Sequence, residues 1–173
     1  QNCELYNLDS KNDYRFRTLV QNKLFFYPLS SEAESSLEEI FKSLTGINNV
    51  KIDEIEILQR KIETIKSSKG VVWFDFNTIC NSPRSSMDYI EISKEYQTII
   101  ISNMFKMNSD DIARRFISLI DECYDRKVKL IISAEEDFKD IYKGSNLKEK
   151  YKRTVSRLIE MQSTSYLKEA HKA

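Results

Sequence analysis

Apolar and polar positions change rhythm twice along the chain. At the start the pattern is weak: Cys3 to Leu8 alternates loosely and predicts a short strand. Asn12-Asp13-Tyr14-Arg15-Phe16-Arg17 follows, with Arg15 and Arg17 on one side if the segment is extended. Lys23-Leu24-Phe25-Phe26-Tyr27 has strand propensity and stops at Pro28. A helix comes next. Ser31 with Glu34 forms a capping box, Ala33, Leu37, Ile40, Phe41 and Leu44 keep helical spacing, and Gly46 marks the stop.

From Ile52 to Phe76 the rhythm is β. Ile55 and Ile57 alternate with acids, Ile62 to Ile65 forms a second run, Ser67-Ser68-Lys69-Gly70 supplies a turn, and Val71 to Phe76 reads as a mostly buried strand. Together these predict an antiparallel meander. Beyond it, Ser85 and Asp88 open a helix reaching about Tyr96, and Thr98-Ile99-Ile100-Ile101 is a strand buried on both faces. Ser109 caps a helix whose first turn holds Asp110 and Asp111 and whose stripe is Ile112, Phe116, Ile117, Ile120, Cys123 and Tyr124. Val128 to Ile132 is another buried strand, Phe138, Ile141 and Tyr142 predict a short helix, and Leu147 to Ile159 a long one. Strands alternating with helices imply βαβ crossovers. The predicted class is α/β: a parallel βαβ sheet in the C-terminal part, with a helix and an antiparallel β meander before it. Residues 1–70 form the strand, helix and meander region and 71–173 the βαβαβα region, expected as one compact unit.

Composition then removes whole mechanisms. The 27 Lys and Arg balance the 27 Asp and Glu, which argues against nucleic acid or an anionic membrane as the main partner. One histidine, His171, excludes a Ser-His-Asp triad and a multi-histidine metal site. Cys3, Cys80 and Cys123, far apart and without CxxC spacing, read as buried thiols of a reducing compartment. No apolar run is long enough for a transmembrane segment. The three glycines, Gly46, Gly70 and Gly144, are too widely separated for a phosphate-binding loop or a dinucleotide fingerprint. A first residue of Gln rather than Met raises the expectation of a fragment.

Phe116-Ile117-Ser118-Leu119-Ile120-Asp121-Glu122 has the look of a Walker B element, but it lies in a helical stripe where such an acid pair belongs at a strand end. It is therefore read as a solvated helix face. The arginines are more informative. Arg114-Arg115 reads either as a phosphate or acidic-partner contact or as surface pairing with Asp110, Asp111 and Ser118. Arg153 and Arg157 share a helix face, with Glu149 and Glu160 in reach to neutralise them. Arg84 precedes a helix start. Asp75 is either a strand-end carboxylate or, the blander reading, an outward residue, and Trp73 is assigned to the core.

Several longer runs carry a resemblance. Val72-Trp73-Phe74-Asp75-Phe76-Asn77-Thr78-Ile79-Cys80, Pro83-Arg84-Ser85-Ser86-Met87-Asp88-Tyr89-Ile90, Ala113 through Asp125, Val128 through Ala134 and Arg153 through Ser163 resemble, in order, the C-terminal half of the ZapE and AFG-one-like ATPase family. Asp13-Tyr14-Arg15-Phe16-Arg17-Thr18-Leu19 is similar to a further family motif. The resemblance implies an AAA+-like parent that binds ATP and Mg and hydrolyses ATP, with its Walker A loop, Walker B acids and sensor-1 strand in an N-terminal P-loop half upstream of the Asp-Tyr-Arg motif. This segment would be inactive alone and hold no cofactor or metal of its own. Arg15, Arg114, Arg115 and Arg157 become candidate contacts to nucleotide phosphate or to a neighbouring subunit of a homo-oligomer. The rival expectation is a non-enzymatic interaction module. Its partner would be an FtsZ-like cell-division protein in the bacterial cytoplasm or at the membrane periphery, or a respiratory complex if the source is mitochondrial.

Overall fold

A computed structural model describes residues 2–46 and 50–173, with residues 2–10 described only as helix. The elements are α1 (Asn2–Gln21), β1 (Phe25–Phe26), α2 (Ser31–Thr45), β2 (Lys51–Ile57), β3 (Arg60–Ser68), β4 (Val71–Asp75), α3 (Phe76–Cys80), α4 (Ser86–Glu95), β5 (Thr98–Met104), α5 (Asp110–Asp125), β6 (Lys129–Ala134), α6 (Lys148–Glu160) and α7 (Thr164–Lys168). They form a mixed α/β fold around one sheet of order β1-β6-β5-β4-β3-β2. β1, β6, β5 and β4 run parallel, and β3 and β2 complete the sheet as the antiparallel meander.

The parallel strands β4, β5 and β6 are buried along their continuous apolar runs. Val71 to Phe74 and Ile99 to Ile101 have no solvent exposure. From β4 the chain steps to β5 and on to β6 in one direction, so right-handed crossovers put α3, α4 and α5 on the same face. α6 packs beside α5, while α2 packs against β4 and β6. Trp73 points to α2, its ring 6.1 Å from Phe41, and its indole N–H donates to Ser102 Oγ at 3.0 Å. Burying each such aromatic contributes roughly 1.5–3 kcal/mol, and here no polar atom of Trp73 is left unpaired.

Local chemistry explains the element ends. Ser30, one residue before the expected cap, accepts from the Ala33 amide, and Gly46 ends α2 at φ 71°. Ser85 and Asp88 make the expected capping box on α4. Ser109 occupies the cap position of α5 without a side-chain cap bond. The β2–β3 turn uses Leu58 and Gln59, both at positive φ.

Four expectations are corrected. Cys3 to Leu8 is helical, not a strand; residues 2–21 carry no Gly or Pro, and α1 is held by tertiary contact with α2 and α7. Arg15 and Arg17 consequently do not share a side, since two residues span about 200° of a helix. Phe76 leaves the strand because Asp75 Oδ1 accepts from the Asn77 amide and starts α3 there. Phe138 to Tyr142 is no helix: Asp137 accepts from the Lys139 amide in a turn, and Tyr142 bridges in parallel to Met107. α7, capped by Ser163, was not foreseen.

Candidate functional site

Strand C-termini in an open α/β sheet are the usual place for ligands. β1 leads through Tyr27-Pro28-Leu29-Ser30 into α2, the strand–turn–helix geometry in which a phosphate-binding loop would lie. Its chemistry is opposite in sign. Ser30 Oγ is occupied by the helix's own amide, and Glu32 and Glu34 fill the first turn. Burial raises the Glu34 carboxyl above the ordinary range, and Glu38 and Asp75 raise it further. Glu38 bonds Lys66 at 2.5 Å, and Asp75 accepts from the Asn103 side chain at 2.9 Å. Asp75 is thus a strand-end carboxylate, half-buried and spent on local bonds. This mouth, with no glycine or lysine in its turn, does not fit a nucleotide phosphate.

The four nominated arginines are not brought together. Arg15, on α1, lies at the opposite, N-terminal edge of the parallel strands. Its Nη1 donates to Gln97 Oε1 at 2.8 Å and its Nη2 to the Lys69 carbonyl at 3.2 Å. Gly70 is open for it: a Cβ there would stand 3.2 Å from Nη1. Arg157, on α6, binds Asp121 of α5 together with Arg153 and lies over the Tyr124 ring at 4.6 Å. The expected neutralisers take other partners, Glu149 binding Lys152 and Glu160 accepting from Tyr124 Oη. Asp121 and Glu122 stand inside α5, and Glu122 faces Arg126.

Arg114 and Arg115 lie in the first turns of α5, near the strand C-termini. Arg115 is half-buried and donates to the Cys80 carbonyl at 3.3 Å. Arg114 is 59% exposed and, among the described residues, forms its salt bridge with Asp111 alone, itself 73% exposed, at 3.1 Å. Such a surface pair is worth about 0.3–0.5 kcal/mol and is readily exchanged for another acid.

Further polar groups cluster around α3 and α4. Arg84 and Arg115 approach the Thr78 and Cys80 carbonyls, and the buried Tyr89 hydroxyl donates to Ile79 between them. Arg60 reaches across from β3 to pair with fully buried Asp88. Burial alone would raise the Asp88 carboxyl, but bonds from Arg60 and the Ser85 amide and the Arg60 and Arg84 charges outweigh it and hold it below its ordinary value. Sequence reasoning missed Arg60, whose partner lies in a distant helix. It also missed Lys129, hidden at the start of an apolar strand. The Lys129 ammonium donates to the Lys127, Tyr166 and Glu169 carbonyls at 2.8, 3.2 and 2.7 Å. Burial lowers its pKa to about 8.

Cys80 and Cys123 are buried, and burial pushes both thiols up; the Cys3 side chain lies outside the described residues. Among the described residues no group of three or more His, Cys, Asp or Glu is placed to hold a metal ion, and no helix is long and apolar enough to cross a membrane.

Residues 1–170 match the AFG1-like ATPase family. The cell division protein ZapE of Escherichia coli is 38% identical over 175 residues, covering 100% of this chain and 47% of ZapE. An uncharacterized protein of Schizosaccharomyces pombe is 37% identical over 78% of this chain and 31% of its own length. Lactation elevated protein 1 homolog B of Danio rerio is 29% identical over 77% of this chain and 27% of its own length. The chain therefore spans about half the length of ZapE, or less of the other two. No solved structure matches. By the extent of these matches, the chain belongs to the AFG1-like ATPase family.

Proposed function

We propose that this chain is the C-terminal module of an ATP-hydrolysing enzyme whose nucleotide and Mg are held by a P-loop half outside it. The observation that carries the reading is the carboxylate-lined turn between β1 and α2. The fold presents a strand–turn–helix at its strand C-termini, yet with Glu38 paired to Lys66 the mouth still carries Glu32, Glu34 and Asp75, which disfavour phosphate. Within a family of ATPases, a half with such a mouth has to serve a nucleotide bound elsewhere. Arg114 is then the group offered outward, to an oxyanion on the P-loop half or on a neighbouring copy. Arg115 stands beside it. Arg157 holds α6 to α5, and Arg15 lies at the opposite edge of the sheet, away from this surface.

The test is ATP hydrolysis by this chain alone and by the full-length protein. The chain alone is expected to show no turnover above buffer, and the full-length protein to turn over. Turnover by the chain alone would refute the reading.

The name of the bacterial relative favours a second role, contact with a cell-division partner such as an FtsZ-like protein. Capture of such a partner by this chain without ATP would support that role, and capture only by the full-length, ATP-bound protein would count against it.

A further inference from the structure

Opposite the acidic mouth, at the N-terminal edge of the parallel strands, lies a cleft of about 400 Å³. Its walls include Asn12 and Arg15 of α1, Gln97 and Lys129 at the starts of β5 and β6, and Lys168 and His171 of the closing stretch. The volume is in the range of small-ligand sites. Its charge is one-sided. Among the described residues Arg15, Lys129 and Lys168 face it, and the one side-chain carboxylate on its wall, Glu169, lies 3.7 Å from the Lys127 ammonium.

The donors also have capacity left. Arg15 spends Nη1 on Gln97 and Nη2 on Lys69, which leaves further N–H groups of a five-donor fork. Gln97 turns its oxygen to Arg15, so its amide NH₂ is a donor on the cleft wall. The Lys168 ammonium lies 6.0 Å from the Phe16 ring centroid and pairs with no acid among the described residues. Lys129 is different: three carbonyls hold it in place, so it contributes a fixed charge. Three cations around a concave, partly enclosed space raise the local potential and attract a counter-ion.

We propose that this cleft binds a small ligand through an oxyanion group, phosphate or carboxylate, contacted by Arg15 and Lys168, with Gln97 orienting Arg15. A guanidinium fork matches either group in two-point contact, and the ammonium supplies a second, movable charge. The site is separate from the α5 arginines and does not depend on the proposed ATPase role.

His171 is the chain's single histidine and lines the cleft, with Nε2 2.6 Å from the Ser93 carbonyl, so its ring resonances report on this place alone. Titration with inorganic phosphate, and separately with malonate, at constant ionic strength is expected to shift them saturably. Saturation by phosphate alone identifies a phosphoryl ligand, and by malonate alone a carboxylate ligand. Arg15→Gln and Lys168→Gln are each expected to weaken the apparent affinity by about fivefold or more. Lys168→Gln keeps the test open should Arg15→Gln fail to fold. Shifts that never saturate, equal shifts with chloride, or unchanged affinity in a folded Lys168→Gln protein would overturn the proposal.

Discussion

The two edges of the parallel sheet are built from the same strands but use charge differently. At the C-terminal edge, near α5, Arg114 stands out in solvent with one exposed partner, and the mouth under α2 is acidic. At the N-terminal edge Lys129 is buried and Arg15 half-buried, while Lys168 stays exposed. Lys129 gathers three carbonyls, Arg15 spans Gln97 and Lys69, and the closing stretch is laced down by His171 to Ser93 and by the Lys172 amide to Arg126. A cation wrapped in backbone carbonyls holds the chain together. A cation paired with one exposed acid is free to act on another molecule. Substitutions should therefore separate into those that cost stability and those that cost activity.

The largest stability loss is expected at neither edge but at the pair beneath the α4 start. Asp88→Ala removes a buried carboxylate, its bonds to half-exposed Arg60 and the capping box together and should cost about 3 kcal/mol in denaturant unfolding. Because the folded-state pKa of Asp88 is depressed, its contribution is complete above the unfolded value of about 3.9 and is lost as pH falls below it. The gap between wild type and variant should narrow on acidification through that range, and a gap independent of pH there would contradict the assignment.

Lys129→Met comes next, at about 2 kcal/mol, since three carbonyls lose a charged donor while a buried charge is relieved. Its signature is faster amide exchange in α7 and the residues after it. The pH dependence has the opposite sense from a salt bridge. Lys129 loses its proton at about 8 when folded against an ordinary 10.5, so between those values the unfolded chain holds more protons. Wild-type stability should gain a rising component with pH in that window, absent from the Met variant.

Arg157→Ala should cost about 1 kcal/mol through loss of Asp121 and of the Tyr124 face, with ATP turnover of the full-length protein changed by less than about twofold. Arg114→Ala should be the mildest for stability, within about 0.5 kcal/mol of wild type in the same unfolding measurement.

Much of this architecture was legible before any coordinates. The runs Thr98–Ile101 and Val128–Ile132 read as strands covered on both faces, and they form the first part of β5 and, from Lys129 on, of β6. The α2 stripe and the Ser85–Asp88 box were equally readable because their signals lie within one or two turns. α1 was not, since among the described residues its buried positions are Thr18 and Leu19 and its place depends on packing against distant elements. The arginines show the same limit. Their residue type pointed to oxyanions, but their roles follow from partners far along the chain: Gln97 for Arg15, Cys80 for Arg115 and Asp121 for Arg157. Lys129 did carry a signal, a charge inside Val-Lys-Leu-Ile-Ile, which a buried strand tolerates only with acceptors in place.

The most direct test of the contrast between held and free cations is ATP turnover of the full-length protein carrying Arg114→Ala, with its melting temperature recorded alongside. An unchanged melting temperature and a fall in turnover on the order of a hundredfold are expected for an arginine that acts on a nucleotide bound elsewhere. Wild-type turnover in the folded variant would contradict the account and return Arg114 to an ordinary surface pair with Asp111.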